Sequence, residues 1–325
     1  MIYFDHSSTT PIHSEVSKRM YEINQDHFAN PSSVYESGRK AKSLIEHARF
    51  QIAEAIGAKS NQIYFCSGGT EANNQVLWSL VNQKNKHIII SAIEHPAISK
   101  VLERLKVFGV ESSLVPVDKQ GVLNTSILLN SIRDDTGLIS VMLANNEIGS
   151  IQKIKNLVEI TRKKEKEFGT KILFHTDAVQ AIGKIEVDVI DLGVDLLSIS
   201  GHKFNAPKGV GALFVKEDLY LEPLLDGGGQ ERQNRSGTEN VPSIVGLGKA
   251  IEIAESKREN FYNHTQELSE RFIDSIIEKI PDLVIHSTKN GLSNIVNFSI
   301  PNICLLYTSD AADDSLRVDL GGRRI

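Results

Sequence analysis

A lysine closes an apolar run in LLSISGHK (196–203), and Lys203 is the first residue of the chain whose type and place suggest chemistry. Burial disfavours a charged amine, so a lysine drawn into a partly apolar cleft gives up its proton readily and can attack a carbonyl carbon. Alone it reads equally as a solvated turn. Asp177, in FHTDAVQAIGK (174–184), falls where a strand ends, and a carboxylate held there would keep a ring nitrogen protonated; alone it would merely cap a helix. CSGGTEANN (66–74) reads as strand, glycine pair and helix start, which leaves backbone N–H groups free to hold a phosphate beside the Thr70 hydroxyl. It lacks the Gly-Lys-Ser/Thr ending of a P-loop. His95 precedes a helix start at Pro96 and offers a titratable ring that could stack on a flat ligand. Asn145 and Asn146 follow another strand and could donate to a ligand oxygen, although a turn would use them too.

These places converge because each lies just past a separate strand. An anion site, an acidic partner for a ring nitrogen and an amine that traps an aldehyde are together what pyridoxal 5'-phosphate requires. The elements that must position them are apolar runs at 62–65, 87–92, 112–117, 137–144, 171–177, 196–200 and 211–215. Between them lie helical patterns such as 38–56, 70–83 and 154–169. Val-, Ile- and Leu-rich strands alternating with helices predict an α/β fold, a mostly parallel sheet covered on both faces. After residue 255 a charged, amphipathic stretch runs to about 280, then two more strand candidates follow in LVIHS and NIVNFSI. This change predicts a smaller second domain.

Composition sets the outer bounds. The chain has 325 residues, 40% hydrophobic and 24% charged, with a formal net charge of −5. That is an ordinary soluble enzyme, with no basic stripe for nucleic acid. Two cysteines, Cys66 and Cys304, build no disulfide framework. The N-terminus MIYFDHSSTTPIHSE lacks a signal-peptide pattern, and no segment has the length of a membrane span, so a cytoplasmic protein is expected.

The motifs YFDHSSTTP (3–11), NPSSVYESGRKA (30–41), SGGTEANN (67–74), EHPAI (94–98), NNEIG (145–149), HTDAVQAIGK (175–184), SGHKFNAPKGVGAL (200–213) and RSGTEN (235–240) run in order over roughly residues 1–300. Together they resemble a cysteine desulfurase of the NifS/IscS type, within the fold-type-I pyridoxal phosphate enzymes. The resemblance implies the fold-type-I transferase architecture, with a large cofactor-binding domain over 13–255 and a small domain formed by 1–12 with 256–303. It implies conversion of L-cysteine to L-alanine, with the sulfur passed as a persulfide to an acceptor protein of iron–sulfur cluster assembly or tRNA thiolation. Lys203 would hold the cofactor aldehyde and move protons at the substrate α-carbon. Asp177 would pair with the ring nitrogen, Gln180 or Asn146 would donate to the phenolic oxygen, and His95 would stack on the ring and serve in acid–base steps. Gly69, Thr70, Ser200 and His202 would hold the phosphate. Thr238 would reach the partner subunit's phosphate in a homodimer, and Asn30 would lie near the substrate carboxylate.

Two departures stand out. Tyr35 takes a position where the family pattern leads one to expect histidine. More seriously, the family's persulfide-forming cysteine and a substrate-binding arginine lie in a segment beyond the strand matching NIVNFSI. Here the resemblance stops near 301–303, and LLYTSDAADDSLRVDLGGRRI (305–325) shows no such loop. Cys304 comes too early for that loop, and Cys66 reads as a small buried hydrophobe. The small domain is therefore expected to be incomplete, the tail from 304 foreign to the family, and the chain poorly soluble because helix 256–280 would expose apolar surface. Two other readings stay open: another pyridoxal phosphate reaction, such as selenocysteine cleavage or transamination, or a truncated scaffold that binds the cofactor without turnover.

Overall fold

The computed structural model describes residues 2–301. In chain order its elements are α1 (Ser14–Asp26), α2 (Glu36–Ala55), β1 (Ile63–Cys66), α3 (Gly69–Trp78), β2 (His87–Ser91), α4 (Pro96–Leu105), β3 (Glu111–Val115), α5 (Thr125–Ser131) and β4 (Thr136–Ser140). Then follow α6 (Ile154–Phe168), β5 (Leu173–Asp177), α7 (Val189–Leu192), β6 (Leu196–Ser200), β7 (Gly211–Val215), α8 (Val241–Lys279), β8 (Val284–Ile285) and β9 (Phe298–Ser299).

Seven strands form one sheet in the order β1-β7-β6-β5-β4-β2-β3. Strands β3, β2, β4, β5 and β6 pair in parallel, while β7 runs antiparallel to both β6 and β1. The alternation of side chains along each strand feeds two apolar layers. Ile63, Phe65, Ile89, Ile139, Phe174, Leu197, Ile199 and Phe214 face the layer formed with α1, α2, α6 and α8. Tyr64, Cys66, Ile88, Ile90, Leu138, Leu196 and Leu213 face the layer formed with α3 and α4. Both faces are buried, as expected of a parallel sheet.

The expected strands all form, with ends shifted by a residue or a few. The run 137–144 is the largest difference: β4 ends at Ser140, although Val141 N and Leu143 N still donate to the His175 (3.1 Å) and Asp177 (2.8 Å) carbonyls of β5 before Ala144 bridges back to Ile151. Helix α3 stops at Trp78, short of residue 83.

Strand β1 is an edge of the sheet, and side chains cap its outer backbone groups. Glu231 Oε2 accepts from Phe65 N at 2.8 Å, and the Ile63 carbonyl accepts from Arg49 Nη1 at 2.8 Å and Arg232 Nη2 at 2.7 Å. Arg49 and Glu231 themselves make a fork-to-fork pair, at 2.7 and 2.8 Å, with both side chains almost fully buried. Glu231, Arg232 and Gln233 all have positive φ (44°, 56° and 67°), a strained left-handed run that these contacts hold in place.

Helix α8 is 39 residues long and passes unbroken through residues 255 and 256. Its buried residues end at Ile251; beyond it Phe261, Tyr262, Leu268, Phe272 and Ile277 are 37–48% exposed. The segment 287–299 braces this outer half. Thr265 and Ser269 bond to the Ser293 hydroxyl and carbonyl, respectively, and Phe272 packs on Phe298. The same segment reaches the turn after β4, through Leu292 N to the Gly149 carbonyl (2.7 Å) and Asn297 Nδ2 to the Glu147 carbonyl (3.1 Å).

Candidate active site

A cavity of about 670 Å³ opens at the carboxyl ends of the parallel strands, where open α/β sheets bind their ligands. Lys203, His95, Asp177, Gln180, Asn146, Gly69, Thr70, Ser200 and His202 all line it. They arrive on five connections, at or after the ends of β1, β2, β4, β5 and β6.

The turn after β1 brings backbone close to the cavity. Gly68 has φ of +152°, and a Cβ on Gly69 would meet Val179 Cγ2 at 2.7 Å and Ser200 Cβ at 3.3 Å. Only glycine allows so close an approach to Val179, and α3 begins there beside the cavity, with the unpaired amides of its first turn. His95 is the N-cap of α4; its Nδ1 accepts from Ala97 N at 3.0 Å, so the neutral ring carries its proton on Nε2.

Asp177 is buried at the end of β5. Its Oδ2 accepts from Asn73 Nδ2 (2.7 Å) and its Oδ1 from Val179 N (2.9 Å). Burial pushes its carboxyl up; the two hydrogen bonds and the charges of His95 and Lys203 pull it back down. Lys203 Nζ donates to the backbone carbonyls of Ser7 (2.6 Å) and Ser8 (2.8 Å), and burial lowers its proton affinity against the pull of Asp177 and Asp5. His202 is held near pKa 4 by burial and then by Lys203 and Lys208, so it meets the cavity as a neutral ring.

Two expected site residues lie elsewhere. Thr238 lines a smaller neighbouring cavity of about 170 Å³ with Cys66, Arg235 and Glu239. Asn30 is exposed and does not line the 670 Å³ cavity; its Oδ1 accepts from Ser32 N at 2.9 Å and so closes its own turn. In the NPSS pattern the asparagine oxygen thus helps turn the chain toward α2. Cys66 is buried, and desolvation pushes its thiol up to about 12, which makes it a protonated packing residue. Cys304 lies outside the described residues.

The sequence reading gave no role to Asn73, to Ser7 and Ser8, or to Glu94 and Lys184. Asn73 sits one turn into α3, on the face toward Asp177, and its spacing from Gly69 was the available signal. Ser7 and Ser8 act through backbone oxygens, which no side-chain pattern reveals. Glu94 accepts from Ser91 Oγ (2.5 Å) and Met142 N (2.8 Å), and burial raises its carboxyl to about 8.

The family model of the class-V aminotransferases matches residues 2–313. The chain belongs to this family. As a class-V aminotransferase it is 46% identical over 307 residues to the cysteine desulfurase IscS of Methanosarcina thermophila, covering 93% of this chain and 74% of that protein. It is 44% identical over 302 residues to the IscS of Dictyoglomus turgidum, covering 92% and 75%. Among solved structures, a NifS-like protein superposes with a TM-score of 0.90 at 36% identity, covering 94% of this chain and 83% of that one. SspA in complex with cysteine gives 0.81 at 33%, covering 93% and 84%. The family match extends to residue 313, past the 301–303 limit of the motif pattern.

Members of this family depend on pyridoxal phosphate, and this class-V cavity fits that group. Asp177 is a buried carboxylate at the cavity wall, which suits a protonated ring nitrogen. Asn73 Oδ1 is buried and unpartnered beside it. Gly68, Gly69 and Thr70 bring backbone to the cavity wall, and Lys203 is an amine with lowered proton affinity at the same cavity. Among the described residues no group of acidic, histidine or cysteine side chains could hold a metal, and no helix is long and apolar enough to cross a membrane.

Proposed function

We propose that this chain is a cysteine desulfurase that takes L-cysteine to L-alanine and hands the sulfur on as a persulfide. The observation that carries the reading is the convergence of Lys203, Asp177 and the Gly68–Thr70 turn on one cavity, in a chain 46% identical to an IscS enzyme. The neighbouring structure of SspA in complex with cysteine supports L-cysteine as substrate. Bound pyridoxal phosphate supplies an electron sink for the bonds at the substrate α-carbon.

The chain's own residues do the rest. Lys203, with lowered proton affinity, takes and returns the proton at the α-carbon. Asp177, held by Asn73 and Val179 N, keeps a proton on the ring nitrogen. His95, fixed by its helix cap at the cavity wall, would stack on the ring and present Nε2–H for acid–base steps. Gly69, Thr70, Ser200 and His202 hold the phosphate with amides, hydroxyls and a neutral imidazole. Gln180 or Asn146 donates to the phenolic oxygen. Thr238, set apart in the neighbouring cavity, serves the partner subunit's phosphate in a homodimer.

We assign residues 13–255 to the cofactor domain and 1–12 with 256–303 to a smaller one. The thiol that takes the sulfur is not among the described residues, since Cys66 is buried and protonated. The acceptor is an iron–sulfur scaffold or a tRNA-thiolation protein. The test is to load the chain with pyridoxal phosphate, add L-cysteine and record cofactor absorbance, alanine and sulfide, for this chain and for one carrying a family-type cysteine loop after residue 303. A cofactor band that Lys203→Ala removes, with alanine formed once the loop is present, is expected. A band indifferent to Lys203→Ala, or no alanine from either chain, would overturn the assignment.

A further inference from the structure

Lys184 lies one layer behind the cavity. Its side chain is 7% exposed, and no carboxylate lies within salt-bridge distance of it among the described residues. Its Nζ donates to Gln180 Oε1 at 2.7 Å. Gln180 Nε2 in turn donates to the Ser7 carbonyl at 2.8 Å, the oxygen that also accepts from Lys203 Nζ at 2.6 Å. A buried lysine is costly, and a methionine would fill the same space without that cost. The arrangement therefore calls for a reason.

The two ends of a carboxamide have nearly the same shape, so packing does not decide which end faces a cavity. Hydrogen bonding does. An amine or ammonium at Lys184 always offers donors, so the carbonyl end of Gln180 must face it. Turning the amide over would set N–H against N–H on one side and, on the other, oxygen against the Ser7 carbonyl. We propose that Lys184 is a positioning residue that locks the Gln180 carboxamide with its donor end toward the cavity, so that Gln180 can give a hydrogen bond to an anionic oxygen there and never take one. Burial, and then the charge of Lys203, lower Lys184 to about 7. The lock survives this titration, because a neutral amine still donates.

The first arm of the test needs no cofactor. In 15N-labelled protein the Gln180 side-chain amide should give one sharp, exchange-protected pair of signals. Lys184→Met should shift and broaden that pair and speed its exchange at least about tenfold, as expected when the bond holding a buried group is lost. The second arm rests on the cofactor reading above. In loaded protein Lys184→Met should raise the apparent pKa of the cofactor band by about one unit, the size of one lost charge-assisted hydrogen bond. In a Gln180→Leu background the same substitution should add almost nothing. A structural role would lower thermal stability alike in both backgrounds and leave the band alone. Unchanged amide signals would overturn the lock, and an equal band shift in both backgrounds would show Lys184 acting by charge alone. If the amide arm succeeds and no band forms, the lock stands and the cofactor reading falls.

Discussion

Removing Arg49 should unfold the chain far more easily than its place on an outer helix implies. Arg49→Met leaves the Glu231 carboxylate buried, 3% exposed at the side chain, with only the Phe65 amide to hold it. Breaking a buried ion pair from one side costs about 3–5 kcal/mol, because the surviving charge has lost its water and its partner. The loss also frees the left-handed run at 231–233, whose strain then favours local opening. The double variant Arg49→Met/Glu231→Leu removes both charges together. The Ile63 carbonyl keeps its bond from Arg232, so the one orphan is the Phe65 N–H, at about 1–3 kcal/mol. The double variant should therefore be more stable than Arg49→Met. Trp78, the single tryptophan, sits in α3 and reports urea unfolding by fluorescence. A loss below about 1 kcal/mol in Arg49→Met, or a double variant as weak as the sum of the two single ones, would refute the edge-capping account.

Glu94 sets a pH dependence. Its folded pKa near 8 stands above the ordinary 4.5, so the folded state binds the extra proton and stability falls as pH rises from about 4.5 to 8. Glu94→Gln keeps the acceptor for Met142 N and should flatten that fall, giving a higher thermal midpoint than the parent at pH 8 and little difference at pH 5. Equal midpoints at both pH values would show the carboxyl to be ionised in place. Asp177→Asn should weaken cofactor binding and turnover about ten- to a hundredfold, the span of one charge-assisted hydrogen bond, while leaving the fold intact. Parent-like titration of the cofactor band in that variant would remove Asp177 from the ring nitrogen.

Much of this site was legible because short motifs end strands. Asp177, Ser200 and Cys66 close apolar runs whose Val, Ile, Leu and Phe content marks them as buried, and Lys203 follows one such run directly. Other features depend on partners that a linear reading does not contain. The antiparallel course of β7 is set by its pairing with β6 and β1, not by GALFV itself. The turn in which the Asn30 oxygen accepts from Ser32 N is likewise set by backbone geometry that the letters alone do not show. Thr238 is expected from its motif alone, and its place in the neighbouring cavity depends on the fold around the 227–240 loop rather than on the letters RSGTEN. A change of texture at residue 255 is real in burial but not in backbone, because α8 continues through it.

That helix has a mechanical consequence. From Ile251 to Lys279 it extends about 42 Å at 1.5 Å per residue, anchored at the root, where Ile253 and Ala254 still pack on the main core, and with no fully buried residue beyond Ile251. A tilt of about 5° at the root would carry the tip through about 4 Å. The 287–299 segment ties the outer half of that lever to the Glu147 and Gly149 carbonyls, in the same turn as Asn146 at the cavity wall. Root, strut and turn form a closed truss, so any load on the outer half of α8 is delivered to the wall of the cavity.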